Sequence, residues 1–264
     1  MIEQIAITTC EIDDDLEKAL QIGTDWGIGN FEFRSVWGKR VPRFQEVETA
    51  KLHALIKEND VKIVGISPSV FREEYCAGEV AEELKILDRS FDLAESLDCR
   101  KIIVFSFRRS ADQAADFILD EAVAVLGQAA DRAQQRGLEL VHEPMPQLHG
   151  NTSTNLLQLI EAVDHPNFNL NWDPANLCSG GEKSVFPDGY NMLKPYIRHI
   201  HLKNWQPAEN WTTMEDGILN WEDIITALKR DGYDQYLSIE THHGPLVEKS
   251  KHNYDWLQRV ITTL

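Results

Sequence analysis

Four side chains that can ligate a metal or move a proton sit near the ends of four strand-like segments: Glu143 in LELVHEP, Asp173 in FNLNWDP, His201 in RHIHLKN and Glu240 in YLSIETH. The intervals between them are 30, 28 and 39 residues, each about one strand–helix unit. Three carboxylates and one imidazole make a mixed oxygen and nitrogen donor set, suited to one divalent ion such as Mn, Mg, Co or Zn. Residues this far apart meet only where strand ends converge, as at the mouth of a barrel of alternating strands and helices.

The rest of the chain supplies such a barrel. Strand-like runs occur at 4–9, 30–34, 61–67, 100–107, 138–143, 168–173, 198–203 and 236–241. Helical periodicity is expected over 13–22, 43–59, 78–97, 111–136, 153–163, 188–196, 221–230 and 245–264. Gly137 reads as a helix C-cap and Asn151-Thr152-Ser153 as N-cap chemistry. Eight alternating units predict a closed α/β (β/α)8 TIM barrel, and no linker-like tract divides residues 1–264, so one domain is expected.

Strand pleating gives the ligands a direction. His201 shares a face with His199 and Lys203, Glu240 with Ser238 and His242, and Asp173 with Asn171. Their apolar neighbours Ile200, Leu202, Leu237 and Ile239 belong to the helix layer, so the polar set is expected to point into the barrel mouth. His142, one residue out of phase, is expected to face the helices.

Composition narrows the class. At 264 residues and 42% hydrophobic the chain can bury a full core. A net charge of −17 repels a phosphate backbone, which disfavours nucleic acid and favours a small substrate. No long apolar run or leader is evident, and Cys10, Cys76, Cys99 and Cys178 are scattered without a CxxC pair. A cytoplasmic protein with reduced thiols, away from membranes and able to form a homo-oligomer, is expected.

The strings LELVHEP, LNWDPANL, HIHLKN and DGILNWEDIITALKRDGYDQYLSIET resemble the xylose isomerase-like TIM barrels. Within them the chain looks most like the sugar (phosphate) isomerase/epimerase branch that includes ketose 3-epimerases and inosose dehydratases. The resemblance implies one divalent metal held by Glu143, Asp173, His201 and Glu240. It also implies that Glu143 and Glu240 act as an acid/base pair on opposite faces of a sugar or cyclitol substrate. Isomerisation or epimerisation through an enediolate is then the first expectation, with dehydration through the same species as the alternative.

Around the quartet the chain departs from the ketose-epimerase pattern. Asn176 stands where a His follows the metal Asp, the loop KNWQPAEN lacks an expected Arg, and His149 replaces a Glu. Asn176, Lys203, His149 and His242 are the candidate substrate-binding residues. Lys203 serves equally well as partner to a metal-site carboxylate. Arg34, Arg72, Arg108 and Arg109 are candidates for holding an anionic substrate group, and Trp26, Trp37, Trp205 and Trp211 for walling a sugar pocket.

Rival readings fit less well. A metal-dependent nuclease of the endonuclease IV type needs additional His ligands, yet strands three and four end in GISPS and FSFRR. A retaining glycosidase would use HEP and SIE without metal, leaving Asp173 and His201 without a role. A non-enzymatic sugar-binding barrel is the remaining alternative.

Overall fold

A computed structural model describes residues 4–110, 113–114 and 118–264. Twelve strands are found among them: β1 (Ile5–Thr8), β2 (Asn30–Phe33), β3 (Ser35–Val36), β4 (Lys39–Arg40), β5 (Lys62–Ile66), β6 (Lys101–Val104), β7 (Glu139–His142), β8 (Phe168–Trp172), β9 (Ile197–Leu202), β10 (Asn204–Gln206), β11 (Asn210–Thr212) and β12 (Leu237–Ile239). The helices are α1 (Leu16–Asp25), α2 (Glu46–Glu58), α3 (Val80–Ser96), α4 (Asp120–Gln135), α5 (Ser153–Val163), α6 (Pro174–Ser179), α7 (Tyr190–Leu193), α8 (Trp221–Arg230) and α9 (Leu246–Thr263). Eight strands close into a parallel barrel in the order β1-β12-β9-β8-β7-β6-β5-β2, flanked by helices. All eight expected strands are present.

The chain divides into two compact units, Met1–Val64 with His199–Leu264, and Gly65–Arg198. In the first, β1 pairs β12 through Ile5↔Leu237 and Ile7↔Ile239, β12 pairs β9 through Ser238↔His201, and β1 pairs β2 through Thr8↔Glu32. In the second, Val104 aligns with His142 and His142 with Leu170. The strands are buried almost throughout, as their Ile- and Val-rich composition requires of a parallel sheet covered on both faces.

Helices lie where apolar residues recur at three- and four-residue intervals. In α8 Trp221, Ile224, Ile225 and Leu228 are buried, and Asn220 caps the helix by accepting from the Asp223 amide. Thr152 caps α5 by accepting from the Asn155 amide, and Gly137 follows α4 with φ +68°, both as expected. The first helix begins at Leu16 rather than 13, because Asp15 accepts from the Glu17 and Lys18 amides and fixes the start. Of the stretch expected at 111–136, residues 111–112 and 115–117 lie outside the described residues, and α4 begins at Asp120.

Three further features differ from expectation. The helix expected at 188–196 is only α7 followed by a 3-10 turn at Lys194–Tyr196, since Pro195 has no amide to continue the ladder. Directly after β8 runs the unexpected α6, with Asp173 as N-cap and Pro174 at its first position. Two small antiparallel hairpins, β3–β4 and β10–β11, extend from the ends of β2 and β9. Among the described residues no helix is long and apolar enough to cross a membrane.

Candidate metal centre

In the unit containing β9 and β12, the candidate side chains follow strand ends. Lys203 follows β9 and Glu240 follows β12, both buried. Glu240 lies among cations: Arg34 Nη1 is 2.5 Å from Oε1, and Lys203 Nζ is 2.6 Å from Oε2. His201 Nδ1 is 3.2 Å from Oε2, and His242 Nε2 is 3.2 Å from Oε1. Arg34 also donates to Glu11 at 2.6 Å, and Glu11 accepts from the His242 amide at 2.8 Å. Burial pushes the Glu240 carboxyl up, but His242, Lys203 and His201 outweigh it and hold it well below the usual carboxylate range.

Two candidate residues have ion-pair partners here. Arg34, a candidate for holding a substrate anion, pairs with Glu11 and Glu240. Lys203 pairs with Glu240. Trp211, on β11, lies over the Lys203 ammonium at 4.9 Å and meets the His242 ring edge-on at 5.9 Å.

Deeper in the same unit, Glu32 is the residue whose role the sequence did not disclose. His199 Nε2 is 2.8 Å from its Oε2, and His201 Nε2 is 3.0 and 3.1 Å from its two oxygens. All three side chains are buried. Because β1 and β12 lie between β2 and β9 in the strand order, these contacts run through the barrel interior. His199 and His201 therefore point inward, as their phase predicted. Burial raises the Glu32 carboxyl, yet the two imidazoles hold it well below its ordinary range. One signal was available: Glu32 interrupts the apolar run NFEF on the inward phase.

In the other unit, Glu143 follows β7 and Asp173 follows β8, both buried. Asn176 connects them. Its amide nitrogen donates to Glu143 Oε1 at 3.3 Å and to the Pro144 carbonyl at 2.9 Å, while its backbone N–H donates to Asp173 Oδ1 at 2.9 Å. Asn176, a candidate substrate-binding residue, spends both amide hydrogens on Glu143 and its loop. His149 is fully buried, with its carbonyl accepting from Ser106 and its amide bonded to Phe107. The ring of His142 also reaches Ser106 Oγ, at 2.8 Å; burial first, then His149, lowers its pKa to about 3.

The remaining arginines are likewise engaged. Arg108 pairs with Glu73 at 2.6 Å, Arg109 donates to the Leu148 carbonyl at 3.2 Å, and Arg72 stacks on Phe105 at 5.6 Å. Acidic and histidine side chains that could hold a metal ion cluster in the chain, among them Glu11, Glu240 and His242.

Comparison with known proteins agrees with this architecture. A 3-dehydroshikimate dehydratase from Bacillus anthracis is 22% identical over 231 residues, 80% of each chain. The structure of an L-ribulose 3-epimerase superposes with a TM-score of 0.79 at 18% identity, over 98% of this chain and 94% of that one. The IOLI protein with a bound zinc atom gives a TM-score of 0.79 at 15% identity, over 98% of both chains. The model of the xylose isomerase-like TIM barrel matches residues 20–260. The chain belongs to the xylose isomerase-like TIM barrel family.

Proposed function

We propose that this protein is a divalent-metal-dependent enzyme that takes a proton from the carbon beside a carbonyl of a small polyhydroxylated substrate, a sugar or cyclitol, and eliminates water. The observation that carries the reading is a donor group. Glu143 and Asp173, buried after β7 and β8, and His201 and Glu240, buried on β9 and after β12, each offer a ligand atom at a strand end, and the proposal is that they share one ion. Three carboxylates and an imidazole fit Mn, Mg, Co or Zn. When bound, such an ion polarises the substrate carbonyl and offsets the negative charge that grows on its oxygen, worth several kcal/mol.

The surroundings of Glu240 favour elimination over epimerisation. Epimerisation needs a group on the opposite face that holds a proton and returns it. Glu240, with Arg34 at 2.5 Å and Lys203 at 2.6 Å, is a poor proton carrier. Glu143, which the Asn176 amide meets at 3.3 Å, is the base of the proposed step. In the proposed step Glu143 takes the α-proton and delivers it to the β-hydroxyl. The C–O bond breaks, a C=C bond forms in conjugation with the carbonyl, and water leaves. The relation to a 3-dehydroshikimate dehydratase supports the same direction. The likeness to an L-ribulose 3-epimerase supports the rival in which Glu240 is the second acid/base.

The test is incubation of Mn-, Co-, Mg- and Zn-loaded protein with inososes, dehydroshikimate and ketoses in D2O. Elimination appears as enone absorbance with loss of water, and Glu143→Gln abolishes it. Deuterium uptake with retained hydroxyls, abolished equally by Glu240→Gln, would replace elimination by epimerisation. A protein that binds no divalent ion overturns both.

A further inference from the structure

We infer that Glu32 and His199 form an outer buried pair that holds the proton of His201 on Nε2 and so presents Nδ1 as the metal-binding atom. The inference rests on the proposed metal site and identifies what orients its imidazole.

An imidazole can ligate through either ring nitrogen, and the hydrogen bond at the other one decides which. At His201 that partner is given: Nε2 lies 3.0 and 3.1 Å from the two Glu32 oxygens, while Nδ1 lies 3.2 Å from Glu240 Oε2. Glu32 is anchored in turn. His199 Nε2 is 2.8 Å from Oε2, and Thr8 Oγ1 donates to Oε1 at 3.4 Å. An ionised carboxylate only accepts, so both imidazoles must bring N–H groups to it.

Glu32, His199 and His201 also form a group of donors able to hold an ion, and this is the rival assignment. Separations of 2.8 to 3.1 Å are ordinary hydrogen-bond lengths, so two ring N–H donors satisfy the Glu32 carboxylate without an ion, and the number of ions bound separates the two assignments. His201 is thus a ligand on one edge and a donor on the other, and Glu32 and His199 are positioning residues.

The measurement has two arms. Long-range 1H–15N NMR of the histidine rings in metal-free wild type reads the protonated nitrogen without any ion or substrate. A proton on Nε2 of both His199 and His201 is expected; a bare Nε2 on His201 overturns the inference. Titration with Mn2+ then compares wild type with Glu32→Gln, a same-size change that keeps one acceptor and turns the other into a donor. One equivalent in wild type and about ten- to hundredfold weaker binding in the variant is expected. Equal affinity in the variant overturns the inference, as do two equivalents in wild type with one lost in His199→Phe. No binding by wild type sinks the proposed function instead, and the NMR arm still decides which nitrogen carries the proton.

Discussion

His142 shows how one buried side chain sets an acid limit on stability. Its folded pKa, about 3, lies below the ordinary 6.5, so the unfolded chain binds the proton more readily. Stability from this group is full above about pH 6.5 and falls as pH drops toward 3. Glu32 and Glu240, whose folded values are depressed from 4.5, add their own loss only below that value. Urea denaturation between pH 7 and 5 is therefore expected to show wild-type stability declining and His142→Gln holding flatter. Parallel curves would remove His142 as the cause. At this scale the sequence discloses residue types more readily than partners. Carboxylates and a His at strand ends are legible, as is the inward phase of His199 and His201. That Glu32 binds both imidazoles is not legible, because the partners lie 167 and 169 residues away on a non-neighbouring strand. Nor does Arg34 in sequence reveal that two carboxylates claim it.

At the scale of elements, periodicity carries most of the information. Strands buried on both faces read as Ile- and Val-rich runs, and α5 and α8 match their expected limits because caps and apolar spacing agree. Short elements fail this test: α6 has six residues, under two turns, and its only signature is Asp-Pro followed by a capped amide. This places two duties on Asp173, which caps α6 and is a proposed ligand. Asp173→Asn keeps an acceptor suited to the Asn176 amide, so stability is expected to stay within about 0.5 kcal/mol. Mn2+ binding is expected to be lost, since an amide oxygen carries no charge. Isothermal titration beside urea denaturation checks both halves. A variant that unfolds early would show that the carboxylate is needed for the fold itself. The β10–β11 hairpin escaped notice for another reason: its strands are three residues each, too short for alternation to register.

Across the molecule, 43 acidic against 26 basic residues give a field that attracts cations before any ligand is reached. Capture of a divalent ion should be steered by it. Stopped-flow association of Mn2+ is expected to slow several-fold between 10 and 300 mM NaCl, as the screening length falls from about 30 Å to below 8 Å. A salt-independent on-rate would confine the attraction to the site alone. The same field does nothing to select the fold, which rests on apolar patterning.

The compact unit that houses Glu32 is assembled from the two ends of the sequence, residues 1–64 and 199–264. During synthesis on the ribosome, Glu32 emerges long before His199 and His201 and spends that interval as an ordinary hydrated carboxylate. By the time residue 198 is made, Glu143 and Asp173 are present but His201 and Glu240 are not. A nascent chain halted there lacks two of the four proposed ligands and is expected not to retain Mn2+, so the proposed metal capture would be a late maturation event rather than a nucleus for folding.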